Sequence, residues 1–225
     1  MITVHHLNLS RSQRVLWLLE ELGLPYEVKR YQRNPKTLLA PPELQQVHPL
    51  GKSPVITDGN LTLAESGAIV EYLAEREGAR LAPLPGSPDR VRYLYWLHYA
   101  EGSMMPPLLL KLVFARIENA PVPFFLKPVT RKIATQGLDS FVLPNLRRNV
   151  QFIEAELADR PWFAGEQFTA ADIQMSYPLE AVEKRVGLEG LPRIADILQR
   201  MRARPAYQRA QDKGGEFGVP GFSRD

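Results

Sequence analysis

The residues best placed to do chemistry are Glu65 and Ser66, which stand where a strand pattern gives way to a helical one. Backbone N–H groups at a helix start lack intrahelical partners and carry partial positive charge, so they hold anions such as carboxylates. Ser66 adds a hydroxyl donor, and the Glu65 carboxylate beside it can hold an ammonium group. A site that takes a carboxylate and an ammonium together suits the α-amino-acid end of a small zwitterionic ligand.

A predicted β-hairpin places this pair. Pro54 opens an apolar run at residues 55–56 and therefore begins a strand or lies on an edge, where its missing N–H group costs nothing. Residues 58–60, Asp-Gly-Asn, tolerate positive φ, as a short hairpin loop requires. The helix after the hairpin has one apolar face, at Ala68, Ile69, Tyr72 and Leu73.

The residues before the hairpin predict a βαβ unit. Residues 2–7 are a short apolar run typical of a strand, and residues 26–30 alternate as a second strand. Between them lies the apolar stripe of a helix that Gly23 ends, so the two strands should be parallel. With the hairpin and its helix this is the βαβ-ββα plan of a thioredoxin-like domain, and Pro41-Pro42 is placed to start a further short helix. The stripe residues are Val15, Leu18, Leu19 and Leu22.

The second half of the chain is helical by its periodicity. Residues 79–88 carry three prolines and one glycine, which is typical of a linker. We therefore predict an α/β thioredoxin-like domain over residues 1–79, a linker over 80–88 and an all-α domain over 89–225. Pro106-Pro107 must kink or break one helix of the second domain.

Two segments of the second half carry specific signals. Residues 91–99 are apolar or aromatic nearly all the way round their helix, so we expect this helix to be covered on two sides and the protein to be a homodimer. Thr169 as N-cap and Asp172 three residues later form a capping box, a folding device without catalytic meaning. The last helical pattern ends at Arg204-Pro205, and a polar, glycine-rich tail follows.

Composition excludes several function classes. The formal net charge is +3, from 28 Lys and Arg against 25 Asp and Glu, and no basic run is interleaved with aromatics, so we expect no nucleic-acid partner. No apolar run approaches the roughly 18 residues that span a bilayer, and residues 1–6 lack the pattern of a signal peptide. The absence of cysteine excludes disulfides and a cysteine nucleophile. We expect a cytoplasmic protein with no membrane partner, and no metal, because its histidines (His5, His6, His48 and His98) lack metal-binding spacing.

Three motifs in order carry a resemblance to a known family. They are His-Pro-Leu-Gly-Lys-Ser-Pro-Val at 48–55, Leu-Ala-Glu-Ser-Gly-Ala-Ile at 63–69 with Tyr72-Leu73, and Phe-Thr-Ala-Ala-Asp at 168–172. With the βαβ-ββα domain, the linker and the helical domain, the chain resembles the cytosolic glutathione transferases over nearly its whole length. The helix and turn at residues 17–27 look like the bacterial and fungal branches of that family.

The resemblance implies a role for each residue of the first two motifs. The bond before Pro54 is expected to be cis, and the backbone of Ser53 to pair with the cysteinyl part of glutathione. Ser53 departs from the family, where a branched apolar residue usually precedes the proline, but only its backbone is needed. Glu65 and Ser66 are expected to hold the γ-glutamyl end, and Lys52 the glycine carboxylate.

The resemblance places the hydroxyl that donates to the glutathione sulfur between the first strand and the first helix. Hydrogen bonds and a helix start lower a thiol pKa from about 8.5 and raise the thiolate fraction. Counting back from Arg14, Ser10 matches the serine of the serine-type branches, and Ser12 and Asn8 are alternatives. Ser10 or Ser12 could instead cap the first helix.

The expected function is that of a glutathione transferase, with glutathione as co-substrate and a small hydrophobic electrophile as second substrate. A second-substrate pocket could be lined by Tyr99, Met104, Met105 and Leu108, although apolar helix residues more often belong to the core. The alternatives are glutathione-dependent peroxide or disulfide reduction on the same fold, and a non-catalytic interaction module. The complete set of expected ligand residues favours an enzyme.

Overall fold

The computed structural model describes residues 1–35, 37–76, 81–215 and 218, and its N-terminal part is a mixed four-stranded sheet. The order is β2-β1-β3-β4, with β1 parallel to β2 and antiparallel to β3, and β3 antiparallel to β4. The predicted βαβ-ββα plan is therefore confirmed. The strands are β1 (Ile2–Leu7), β2 (Tyr26–Tyr31), β3 (Val55–Asp58) and β4 (Leu61–Ala64).

Three helices accompany this sheet. They are α1 (Ser12–Leu22), α2 (Glu43–Val47) and α3 (Ser66–Arg76). Gly23 ends α1 with a φ of 67°, the left-handed conformation that glycine adopts without steric cost. Pro42 caps α2, as the proline pair predicted.

Seven α-helices follow among the described residues, and a π-helical turn over Ala100–Met104 joins the first two of them. Pro106 and Pro107 cannot donate backbone hydrogen bonds, so regular α-helical pairing cannot run through them. The N–H of Met105 instead bonds to the carbonyl of Ala100. The predicted break is therefore a π turn. The helices are α4 (Pro88–Tyr99), α5 (Met105–Glu118), α6 (Lys127–Gly137), α7 (Leu143–Glu156), α8 (Ala170–Arg185), α9 (Pro192–Arg202) and α10 (Pro205–Gly214).

The predicted capping box begins α8, a helix that lies in the core. The Asp172 carboxylate accepts hydrogen bonds from the Phe163 N–H (2.8 Å) and the Thr169 N–H (2.7 Å). Burial raises the pKa of Asp172 to about 6, although these bonds oppose the rise. The residue is fully buried, so its role is to complete the start of α8 from inside the protein.

The helix α10 was not predicted, because its ten residues contain few apolar side chains to mark a stripe. It lies against α1 and is held by ion pairs from Arg209 and Lys213 to the buried Glu20. Arg204, just before α10, pairs with Glu21 at 2.5 Å. The C-terminal helix therefore secures the first helix of the chain.

The helix α4 is not covered on two sides within this chain, so that prediction is wrong for the single molecule. Tyr93, Trp96 and Leu97 are buried, but Val91 is 74% and Tyr95 is 48% exposed. The inner face packs on α8, and within the part of the chain that the structure describes the outer face stays largely exposed.

Some predictions fall on residues outside the described ranges. The boundary between the predicted first domain and its linker lies at residues 77–80, and most of the predicted glycine-rich tail lies beyond 215. The division into domains at 79 and 88 stays a prediction. Of the helices that the structure describes, none combines the length and the apolar character needed to cross a membrane.

Candidate functional site

A cavity of about 230 Å³ opens beside the end of β4 and the start of α3. It brings together all five residues predicted to hold glutathione. Four further residues that were not predicted complete its wall, two of them charged. The predicted lining residues are Lys52, Ser53, Pro54, Glu65 and Ser66, and the others are Arg11, Leu50, Ala64 and Glu101.

The start of α3 faces this cavity. Glu65 has a φ of 72°, a left-handed conformation that is unfavourable for a residue with a side chain. It connects β4 directly to the helix, and its carbonyl accepts the first helical hydrogen bond, from the Ile69 N–H at 2.9 Å. Among the described residues no side chain bonds to the N–H groups of Ser66, Gly67 or Ala68. This helix start is therefore available to an anion.

The peptide bond between Ser53 and Pro54 is cis, as expected. The Ser53 side chain, to which no role was assigned, is bonded to β1. Its hydroxyl donates to the His5 carbonyl at 2.9 Å and accepts from the Leu7 N–H at 3.3 Å. Serine at this position thus joins the cavity wall to the central strand of the sheet.

None of the three candidates for the sulfur donor lines the cavity itself. The Ser10 hydroxyl is buried behind Ser53, and its Oγ lies 3.4 Å from the Ser53 Oγ. Ser12 is fully buried, and its Oγ lies 2.7 Å from that of Ser10. Asn8 is turned toward Arg33, whose N–H donates to Asn8 Oδ1 at 2.7 Å. Ser10 is therefore the candidate connected to a cavity residue.

The Ser12 hydroxyl is engaged by a buried histidine. Its Oγ lies 2.8 Å from His6 Nδ1. Burial lowers the pKa of His6 to about 4, although a hydrogen bond to the Gly214 backbone favours the protonated ring. His6 is thus neutral at pH 7, and its single ring proton belongs on the nitrogen that meets Gly214. His6 Nδ1 then accepts a hydrogen bond that Ser12 donates.

Arg11 and Glu101 are the two charged residues of the wall that the sequence reasoning missed. Arg11 Nε donates to both carboxylate oxygens of Glu101, at 3.1 and 3.0 Å. The fully buried Arg14 donates to Glu101 at 2.5 Å. Burial raises the pKa of Glu101, but Arg14 and Arg11 outweigh burial and hold it below its ordinary value. Arg11 and Arg14, three residues apart beside the apolar stripe of α1, could have indicated a charged site. Nothing in the sequence near Glu101 indicates its part in that site.

The predicted second-substrate pocket needs correction, because its four residues do not reach the cavity. All are buried, and the Tyr99 hydroxyl donates to Asn149 instead. Met104 and Met105 lie at the junction of the π turn and α5, and their side chains belong to the main core. Helical periodicity indicates that a residue is buried but not whether it lines a pocket, and these four residues belong to the core. They are Tyr99, Met104, Met105 and Leu108.

A search of the described residues for metal ligands finds no group of three histidine, aspartate or glutamate side chains that could hold an ion. The chemistry that this cavity supports comes from its hydroxyls, its charges and the open helix start.

Comparison with known proteins agrees with this geometry. Models of the N-terminal and C-terminal domains of glutathione S-transferase match residues 1–75 and 127–205. The chain is 37% identical to glutathione S-transferase 3 of Schizosaccharomyces pombe, over 82% of this chain and 75% of that protein.

Solved structures agree as well. A glutathione S-transferase from Actinobacillus pleuropneumoniae superposes with a TM-score of 0.83 at 34% identity, over 100% of this chain and 98% of that one. A glutathione transferase family member from Pseudomonas fluorescens Pf-5, solved with two glutathione molecules bound, gives 0.72 at 27% identity, over 93% and 91%. The fold, the motifs and these similarities together show that the chain belongs to the glutathione S-transferase family.

Proposed function

We propose that this protein activates the thiol of bound glutathione for attack on a small hydrophobic electrophile. The observation that carries the proposal is that the open start of α3 and the cis bond before Pro54 line one cavity. Ser66 and the helix N–H groups hold the γ-glutamyl carboxylate, and Glu65 holds its ammonium group. The backbone of Ser53 pairs with the cysteinyl unit, and Lys52 meets the glycine carboxylate.

Ser10 is proposed as the hydroxyl that donates to the sulfur. The contact of Ser12 with the neutral His6 supports this choice, because it occupies the Ser12 proton. The contact of the Asn8 side chain with the Arg33 backbone supports Ser10 over the third candidate, because it turns Asn8 toward the loop after β2. Ser10 can turn its proton from a neighbouring hydroxyl to the sulfur when glutathione is bound. The proton of the thiol passes to water, and the thiolate sulfur then bonds to the electrophilic carbon while a leaving group such as halide departs.

A second candidate function is glutathione-dependent reduction of disulfides or peroxides. The charged wall formed by Arg11 and Glu101 supports it, since this wall suits a polar second substrate better than an apolar one. The related Pseudomonas structure with two bound glutathione molecules supports it too. A non-catalytic module is less well supported, because an interaction scaffold does not require an intact ligand cavity.

We further propose a cytoplasmic homodimer with domain boundaries at residues 79 and 88. The exposed outer face of α4, with Val91 and Tyr95, supports the dimer because an apolar helix face of this kind favours a two-fold partner. Sedimentation at micromolar concentration should give twice the chain mass of 25.5 kDa. A single species at the chain mass would contradict the dimer.

The experiment for the main proposal has two steps. Retention on immobilised glutathione should be seen for the wild type and lost in Glu65→Ala. Turnover should then be compared between a halodinitrobenzene electrophile and a glutathione mixed disulfide. Faster turnover of the electrophile supports the transferase, and turnover of the disulfide alone supports the reductase. Retention without either reaction would favour the non-catalytic module.

A further inference from the structure

Two arginines and one glutamate meet where the helical part of the chain meets the loop before α1, beside the cavity. Arg11 and Glu101 both line the cavity, and the Arg11 Nε–H is shared between the two carboxylate oxygens of Glu101. The same carboxylate also accepts from Arg14, which is fully buried. Two guanidinium groups thus share one carboxylate, which leaves a surplus of one positive charge.

The Arg14 side chain is fixed in place by the protein core. Its second terminal nitrogen donates to the carbonyl of Gln174 in α8 at 2.8 Å. Its Nε has no hydrogen-bond partner among the described residues. A buried guanidinium with one shared counter-ion keeps its charge in a poorly screened environment, where charge acts over a longer distance than in water.

The other charged groups around this pair do not cancel the surplus. Both Arg11 and Arg14 lie over the ring of Tyr177 from α8, with 5.5 Å between guanidinium carbon and ring centre. Burial raises the pKa of Tyr177, so the phenol is neutral at pH 7. Arg33, after β2, and Arg185, at the end of α8, act on the same phenol and are also positive. Across the cavity, Lys52 and Glu65 have opposite charges.

The π turn explains how a carboxylate from the helical part reaches the cavity. Glu101 is the second residue of the Ala100–Met104 turn, which directly precedes the proline pair at the start of α5. Such turns often occur at functional sites because the extra residue reorients neighbouring side chains. Glu101 keeps one third of its side chain exposed while pairing with the buried Arg14.

We propose that Arg11 and Arg14 stabilise the thiolate of bound glutathione electrostatically, and that Glu101 sets how large this effect is. The inference rests on the proposed function, since it concerns the thiol held in that cavity. Arg11 directly precedes α1, whose start carries partial positive charge of its own. The thiol proton leaves to water, and the surplus charge lowers the free energy of the anion that remains. Glu101 opposes the effect while serving as counter-ion to Arg14.

The test is a pH titration of bound thiolate absorbance near 240 nm for the wild type, Glu101→Gln and Arg11→Gln. A unit charge a few ångströms away moves a pKa by about one unit or more. We therefore expect Glu101→Gln to lower the pKa of the bound thiol by about one unit, and Arg11→Gln to raise it by about one unit. Arg11→Lys should restore the wild-type value.

The matched control is the ion pair between Glu183 and Arg202, which also joins one glutamate to one arginine and does not line the cavity. Glu183→Gln should leave the thiol pKa unchanged. If Glu101→Gln does not fold because Arg14 loses its counter-ion, the two Arg11 variants still decide the question. Shifts of the same sign in Glu101→Gln and Arg11→Gln would indicate loosened packing and overturn the inference.

The two levels of proposal fail in different ways. If the wild type lowers the thiol pKa and the variants have the same thiol pKa as the wild type, only the role of Arg11, Arg14 and Glu101 is overturned. A wild type that binds glutathione and leaves its thiol pKa at about 8.5 overturns thiol activation and the role of these residues together.

Discussion

Two helix starts in this protein carry the same kind of sequence signal and have opposite uses. At the start of α8, Thr169 and Asp172 face inward, and the carboxylate takes up the backbone N–H groups. At the start of α3, Glu65 and Ser66 face a cavity, and no side chain of the described residues bonds to the first N–H groups. The third residue of the helix makes the difference, because α8 has a carboxylate there and α3 has Ala68.

The comparison teaches that a ligand site can be a helix start whose N–H groups have no side-chain acceptor from the protein itself. A helix start has unpaired donors in either case. Where the chain supplies its own anion, the donors stabilise the fold. Where it does not, they remain available to an external one. Four predictions test this distinction.

The largest expected effect is on stability at the start of α8. Asp172→Ala leaves the buried N–H groups of Phe163 and Thr169 without their acceptor, so the free energy of unfolding should fall by about 3 kcal/mol or more. Urea unfolding measures it. The control Asp196→Ala removes an exposed i,i+4 ion pair and should cost about 0.5 kcal/mol or less. Glutathione affinity of the folded variant should be unchanged, and a parallel loss of affinity would break the comparison.

The contribution of Asp172, at the start of α8, to the free energy of unfolding should also depend on pH. The pKa of Asp172 lies at about 6 in the fold against 3.8 in the unfolded chain, so the folded state binds more protons between these values. Its contribution to stability therefore decreases as pH rises from about 4 to about 6, by roughly 3 kcal/mol, and is constant above. The measurement is the unfolding free energy of the wild type minus that of Asp172→Asn, followed against pH. A difference that does not change with pH would contradict the buried ionisation.

A change at the start of α3 should alter the affinity for glutathione. Glu65→Ala removes the partner of the ammonium group and should weaken glutathione binding by about 1.5–3 kcal/mol, the range for charge-assisted hydrogen bonds. Titration calorimetry measures it. Glu43→Ala, at the exposed start of α2, is the matched control and should bind as the wild type does. Unchanged affinity in a well-folded Glu65→Ala would remove the assignment.

The start of α1 is an intermediate case and gives the smallest effect. Ser10 accepts a weak bond from the Ser12 N–H at 3.3 Å and is also the proposed sulfur donor. Ser10→Ala should raise the bound thiol pKa by about one to two units, because one bond to the anion is lost. Ser12→Ala should leave it in place. The readout is thiolate absorbance against pH, and a shift in Ser12→Ala alone would reverse the assignment.

The sequence was sufficient for the open side of the cavity, because each feature there depends on neighbours in the chain. The hairpin turn, the residue before Pro54 and the strand-to-helix step at Glu65 are all local, and the last two lie together in the cavity wall. The capping box of α8 is local too. These elements were predicted with their positions nearly correct.

The other side of the cavity could not be predicted, because its residues meet only through packing. Glu101 reaches Arg11 across 90 positions of sequence, through a π turn whose exact register no periodicity reveals. Periodicity marked Met104 and Leu108 as apolar but gave no means to distinguish core from cavity wall. The helix α10 was missed for a related reason, since its attachment depends on charges and on α1 more than on an apolar stripe of its own.

The attachment of α10 has a consequence for the order in which the protein is made. The ion-pair partners of Glu20 and Glu21 in α1 are 183 to 193 residues further along the chain. At a synthesis rate of roughly 5–20 residues per second, that separation is about 10 to 40 s. The first helix therefore leaves the ribosome well before the segment that secures it. Contacts this distant in sequence form late and slow folding, so the first half of the molecule reaches its final rigidity only after the last helix is translated.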